Sequence, residues 1–208
     1  MSKIFNEFII MKALDWSYDK AVNGVPGFAT AQEIADKYLI RSGSLVSRVN
    51  SLIRWQNAKC ATSGFVNGLG GALTLPVAIP ANLTSVWYVQ LRMIAAIAYM
   101  GGHGSREDRV RTLAYICLVG NGAMNIVKEF GINVGKKLAE EAIKKISGEI
   151  LVKINQKVGM RLVTKFGEKG IINLCKVIPV FGGVIGGAFD LASTNVIGNV
   201  ARNIFIED

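Results

Sequence analysis

The chain has 208 residues, of which 50% are apolar, with a net charge of +9 and a mean hydropathy of +0.35. This length suits one domain with a sizeable core, and the hydropathy lies between those of ordinary soluble proteins and multi-span membrane proteins. Three cysteines lie far apart without a CxxC pair, and there is one histidine. This composition argues against a disulfide framework or a zinc site, so we expect buried free thiols and no metal.

Helices are predicted for the first 60 residues. One apolar stripe recurs at helical spacing as far as Gly24: Ile4, Phe8, Met11, Leu14 and Tyr18. Thr30 and Glu33 have the spacing of a capping box, which predicts the start of a second helix. A break near residues 42–44 separates it from a third helix that reaches Trp55.

The N-terminus does not have the pattern of a secretory signal peptide. Asn6 and Glu7 interrupt its apolar positions, and no small-residue cleavage site follows. We therefore expect the protein to act on the cytosolic side of a membrane.

Residues 60–91 contain no Asp, Glu, Lys, Arg or His. Pro76 and Pro80 divide this run, which predicts a hairpin of two apolar helices over residues 61–75 and 81–100. Asn82 is a candidate N-cap for the second arm, which is predicted to end at the glycine pair 101–102. The hairpin is either re-entrant in a membrane or the dry centre of a helical globule.

A further apolar helix is predicted after this hairpin. Ser105 and Asp108 resemble a capping box, and residues 112–127 again contain no charge. That stretch is too short to span a bilayer with confidence, so we expect a buried core helix. His103 lies in a glycine-rich loop and is expected to be a surface histidine.

Residues 136–176 form a basic amphipathic region with 10 basic and 4 acidic residues. Its lysines flank an apolar stripe with a four-residue repeat: Lys136, Lys137, Lys144, Lys145, Lys153 and Lys157. The pattern fits a helix on an anionic membrane surface, and it equally fits a solvated helix face over a core. No nucleic-acid motif accompanies the charge, which argues against nucleic acid as the partner.

The last predicted helix covers residues 177–201 and is rich in glycine. Pairs with GxxxG spacing occur here and in the first hairpin arm: Gly64 with Gly68, Gly182 with Gly186, and Gly183 with Gly187. They predict close helix–helix packing in a membrane or in a soluble core. Arg92 and Asp190 are lone charges in apolar helices, so either they pair across the fold or each reaches the surface.

No arrangement of residues carries a recognisable catalytic chemistry. A complete phosphate-binding loop is missing, there is no G-x-S-x-G elbow, and carboxylates are sparse. We therefore expect a non-enzymatic protein without a cofactor.

Three segments resemble the EcsC family of bacterial proteins. They are CATSGFVNGLGGALTLPVAIPAN at residues 60–82, LRMIAAIAYMGG at 91–102 and IPVFGGVIGGAFD at 178–190. The resemblance covers nearly the whole chain and implies a bacterial, membrane-linked helical protein. The family takes its name from a protein encoded beside an ABC transporter, which implies an accessory role in transport. It provides no catalytic residues to transfer.

These observations predict one all-α domain over residues 1–208. It is a helical bundle with a central Gly/Pro-rich apolar hairpin and an apolar Gly-rich C-terminal helix. The first functional hypothesis is a membrane-associated protein, peripheral or partly inserted, at the cytoplasmic side of the bacterial inner membrane. Its partners would be lipids or a membrane protein. The alternatives are a soluble cytoplasmic module that binds a lipid or other apolar ligand, and a membrane-disrupting toxin or defence effector. The oligomeric state stays open.

Overall fold

A computed structural model describes residues 7–60, 81–132, 145–166 and 182–206. All regular elements in these ranges are helices, as predicted, with one isolated bridge between Val25 and Phe28. The α-helices are α1 (Glu7–Asn23), α2 (Ala31–Leu39), α3 (Leu45–Cys60), α4 (Ala81–Met100), α5 (Asp108–Val119), α6 (Ala123–Glu129), α7 (Gly148–Phe166) and α8 (Gly182–Phe205). A 3₁₀ turn (Gly120–Gly122) joins α5 to α6.

Local sequence signals determine where the second and third helices begin. The predicted capping box opens α2, because Thr30 Oγ1 accepts from the Glu33 N–H at 3.1 Å and Glu33 Oε2 accepts from the Thr30 N–H at 2.7 Å. After Gly43, whose φ is +102°, Ser44 Oγ accepts from the Ser47 N–H and starts α3. The predicted break between these two helices is therefore confirmed.

Helix α4 is the centre of the bundle. It packs against α1, α2, α3, α5 and α8, and its side chains from Leu91 to Ala98 are buried. The second arm of the predicted hairpin is thus surrounded by protein.

This helix begins at Ala81, so Asn82 is not its N-cap, because a cap residue stands outside the helix. Residues 61–80, with Gly64, Gly68, Pro76 and Pro80, lie outside the described residues.

The end of α4 fits closely against the end of α8. A Cβ on Gly101 would collide with the carbonyl oxygen of Phe205. In the same loop His103 is buried, and its ring lies 5.5 Å from that of Phe205. The prediction of a surface histidine is therefore wrong, because the glycines let the loop fold beneath the last turn of α8.

The predicted buried helix over residues 112–127 is part of the core, but it is divided. Gly120 has a φ of +73°, which ends α5 and leads through the 3₁₀ turn into α6. Helix α5 begins at Asp108 after Glu107, which makes no side-chain cap. The predicted capping box from Ser105 is wrong, because the residue before the helix is Glu107 and residues 104–107 form a turn closed by the Glu107 N–H on the Gly104 carbonyl. The Ser105 carbonyl accepts from the Tyr18 hydroxyl.

Helices α7 and α8 complete the bundle, and each packs against a different set of helices. The apolar stripe of α7, Ile154, Val158 and Leu162, is buried, and the helix packs on α1 and α5. Helix α8 runs antiparallel to α3, since Arg202 bonds Asn50 and Gly198 meets Ile53 one turn away. Sequence analysis did not single out Gly198, where an added Cβ would lie 2.8 Å from Ile53 Cγ2.

Candidate functional site

Four cations follow one side of α7. Lys153, Lys157, Arg161 and Lys165 recur at every fourth position, which places them along one stripe of an α-helix. Lys157 is half-buried and the other three are exposed. Glu149 is the one acid within the helix. We call this stripe, with the exposed apolar side chains beside it, the α7 face.

Two carboxylates neutralise the first half of the α7 face. Lys153 Nζ lies 2.6 Å from Glu149 Oε1, one turn earlier in the same helix. Lys157 Nζ lies 2.9 Å from Glu129 Oε1, at the end of α6. Arg161 and Lys165 continue the row of cations in the second half of the helix.

Helix α7 and its neighbour α1 also carry exposed apolar side chains. Val152 and Met160, each one residue before a cation of the stripe, are 58% and 60% exposed. Phe8 on α1 is 64% exposed, and Lys12 Nζ lies 4.4 Å from its ring centre. Helix α1 packs against α7 where Gly159 meets the Glu7 side chain, so Phe8 is adjacent to this contact. Exposed apolar and cationic side chains are thus both present on α7 and on the α1 turn that packs against it.

The structure accounts for part of the predicted lysine set. Lys153 and Lys157 are on the α7 face, and Lys145 is exposed in the turn before the helix. Lys136, Lys137 and Lys144 lie outside the described residues. The four glycines Gly182, Gly183, Gly186 and Gly187 belong to the first turns of α8. The side chain of Asp190 lies outside the described part of the structure.

Arg92 is inside the bundle and only 2% exposed. Its Nη1 donates to the Ala29 carbonyl at 3.2 Å and to the Tyr88 hydroxyl at 3.3 Å. Burial raises the pKa of Tyr88, while the charge of Arg92 acts in the opposite direction. The interpretation of Arg92 as a surface charge is therefore wrong, and its predicted pairing with Asp190 concerns a side chain outside the described residues.

The corner between α2 and α3 carries a second cluster that sequence analysis missed. Ile40 is 86% exposed and Trp55 is 54% exposed, and Arg41 and Arg54 lie beside them. A charge count over the first 60 residues hides this cluster, because acids elsewhere in that segment offset its arginines. The available signal is that residues 37–106 contain no Asp or Glu.

Two further properties of the described residues bear on metal binding and membrane insertion. No group of three His, Cys, Asp or Glu side chains among them could hold a metal ion. One stretch, Asp108–Glu129, is long and apolar enough to cross a membrane. The core helix of a soluble protein can satisfy the same criterion of length and hydropathy. In this stretch 67% of the most apolar segment is buried inside the fold.

Comparison with known proteins identifies the family. No curated protein and no solved structure gives a significant match. The model of the EcsC protein family matches residues 13–206, nearly the whole chain, and this match agrees with the segment resemblance found above. The chain therefore belongs to the EcsC protein family.

Proposed function

We propose that this chain is a non-enzymatic protein that binds anionic membrane lipid through the α7 face. It would act as a peripheral protein at the cytoplasmic side of the bacterial inner membrane. The observation that carries the proposal is the stripe of four cations on α7, together with the exposed side chains of Val152 and Met160 on the same helix and of Phe8 on the adjoining α1.

Both parts of the α7 face contribute to such binding. A lysine or arginine close to an anionic leaflet contributes about 1 kcal/mol, and this attraction falls off within a Debye length. Burial of exposed apolar side chains at the acyl boundary adds a contribution that salt does not screen. Binding should therefore weaken with salt and still require the apolar residues.

Burial of α4 supports docking rather than insertion of this helix. Its side chains pack against five neighbouring helices, so this arm of the apolar hairpin needs no lipid to leave water. The same observation favours the second candidate, a soluble module that carries an apolar ligand. Native mass spectrometry after detergent-free purification tests that candidate, because a co-purified lipid on a soluble chain would support it.

Vesicle flotation tests the α7 face directly. The variant Arg161→Glu with Lys165→Glu should float poorly with phosphatidylcholine vesicles that contain phosphatidylglycerol, while the unaltered chain floats. The control Lys20→Glu with Arg106→Glu changes the net charge equally at exposed positions on other elements. An equal loss of flotation in both variants would show that binding depends on net charge alone, and would contradict binding through the α7 face. No flotation of the unaltered chain would contradict the proposal itself.

A further inference from the structure

A cleft of about 410 Å³ lies between α2 and α3, lined by Tyr38, Arg41, Ser51, Arg54 and Trp55. Ser51, Arg54 and Trp55 share one face of α3 because they are three or four residues apart. Arg48 fixes the turn beside the cleft, since its Nη1 donates to the Leu39 carbonyl at 2.8 Å. The cleft is therefore formed by two helices held at a defined separation.

Arg41 is positioned by neighbours that leave most of its donors available. Its guanidinium lies 4.0 Å from the centre of the Tyr38 ring and donates to Ser51 Oγ at 3.4 Å. A guanidinium has five N–H donors, and its fork matches the oxygens of a phosphate. Tyr38 is buried and Arg41 covers its ring, so the base of the cleft presents positive charge.

The cleft contains no carboxylate among the residues that the structure describes around it. Glu33 and Asp36, the last acids before it in the chain, line a different cleft with Gly27 and Phe28. No acid follows until Glu107. Within the described part of the chain, the two arginines thus have no carboxylate partner at this cleft, which makes it complementary to an anion.

The rim of the cleft distinguishes among anions. Trp55 is half exposed, and Ile40, beside Arg41 in the turn, is almost fully exposed. Tryptophan is favoured at the membrane–water interface, and an exposed isoleucine gains by entering the acyl boundary. A stacked nucleobase would use Trp55 but would leave Ile40 in water, so the rim favours a lipid.

We infer that the α2–α3 cleft binds the phosphate of an anionic phospholipid headgroup, with Arg41 and Arg54 on the phosphate and Trp55 and Ile40 at the acyl boundary. This goes beyond the proposed function, because it names a second surface and the chemical group that it binds. Its volume lies within the range of ligand sites in proteins.

Fluorescence quenching by brominated lipid tests the cleft separately from the α7 face. In the variant Trp16→Phe the remaining tryptophans are Trp55 and Trp87, and Trp87 is buried in the core. Vesicles of brominated phosphatidylglycerol in phosphatidylcholine should quench the emission of Trp55. Flotation without quenching would overturn the cleft and leave the α7 face standing. Failure to float at all would overturn both.

Arginine variants and competitors define the ligand. Introducing Arg41→Gln and Arg54→Gln into the Trp16→Phe variant should lower the vesicle affinity measured by Trp55 quenching at least tenfold. Each cation near an anionic surface contributes about a fivefold gain in affinity. The control Lys20→Gln with Arg106→Gln should retain quenching, and equal loss in both would overturn the assignment. Equal affinity for soluble glycerol phosphate would show a site for a free phosphoester and overturn a lipid site. Binding of a single-stranded RNA oligonucleotide in place of vesicles would do the same.

Discussion

The hydroxyl of Tyr115 donates a hydrogen bond of 2.6 Å to Asp15 Oδ1, which joins α5 to α1 across 100 residues of sequence. The Tyr115 ring also meets the Tyr18 ring edge to face at 6.0 Å. Burial raises the pKa of both phenols above their ordinary value of 10.0, and the charge of Asp15 raises that of Tyr115 further. The neutral phenols are therefore part of the native core.

We expect the fold to lose stability at alkaline pH because of these two tyrosines. Because their pKa values are higher in the folded chain than in the unfolded chain, their stabilisation is complete below about pH 10 and is lost as pH rises further. Each such group adds about 1.4 kcal/mol of loss per pH unit. Urea unfolding at about pH 8 and about pH 11 should show it. Tyr115→Phe should cost about 1–2 kcal/mol near neutrality and make the alkaline loss shallower, and an unchanged alkaline slope would contradict this account.

Arg92 is predicted to be essential for stability. The variant Arg92→Ala should lower the free energy of unfolding by about 2–4 kcal/mol, because it leaves a cavity and removes a charge-assisted partner from the Ala29 carbonyl. Chemical denaturation measures the change. The control Arg106→Ala removes an exposed arginine and should alter stability by less than about 0.5 kcal/mol. Similar small effects in both variants would argue against a structural role for Arg92.

Gly198 is predicted to set the distance between α8 and α3. Gly198→Ala should destabilise the fold by about 1–3 kcal/mol, since the new Cβ would press on Ile53. In an Ile53→Ala background the same change should cost nothing or stabilise by up to about 1 kcal/mol through helix propensity. A double-mutant cycle in urea measures this coupling. Gly148→Ala, which meets open space, is the control, and additive effects at Gly198 and Ile53 would refute the contact.

Removal of the acids beside the α7 face should strengthen lipid binding. Glu129→Gln releases Lys157 and Glu149→Gln releases Lys153, so each should raise partitioning into anionic vesicles by up to about fivefold. Stability should change by less than about 1 kcal/mol, because these ion pairs are exposed to solvent. Flotation across vesicle concentrations gives the partition coefficient. If neither variant binds more lipid, the α7 face is not where the vesicle is bound.

Local signals in the sequence were sufficient for several helix boundaries. The Thr30 capping box, the break before α3 and the end of α4 at Gly101 all depend on neighbours within a few residues. Local sequence signals gave wrong predictions where the structure depends on contacts with residues far away in the chain. Before α5, the Ser105 carbonyl accepts a hydrogen bond from Tyr18 of α1, and the burial of His103 depends on Phe205 at the far end of the chain.

The candidate surfaces divide in the same way. The four-residue apolar repeat of α7 is visible in the sequence, so Lys153 and Lys157, which flank it, are predictable without the fold, whereas Arg161 and Lys165 are not singled out. The α2–α3 cleft is not predictable in this way, because Arg41 and Arg54 face one another only when two helices meet at an angle. A charge total over a segment cannot reveal which cations end up without a carboxylate nearby.

The sequence by itself determined that this chain is helical and where several of its helices begin and end. Such properties follow from backbone capping and from apolar spacing within one helix. Only the tertiary structure decided that the largely apolar α4 is surrounded by protein, whereas Ile40, Trp55, Val152 and Met160 are exposed. Burial is a property of what packs around a side chain, and those neighbours come from helices far away in the sequence.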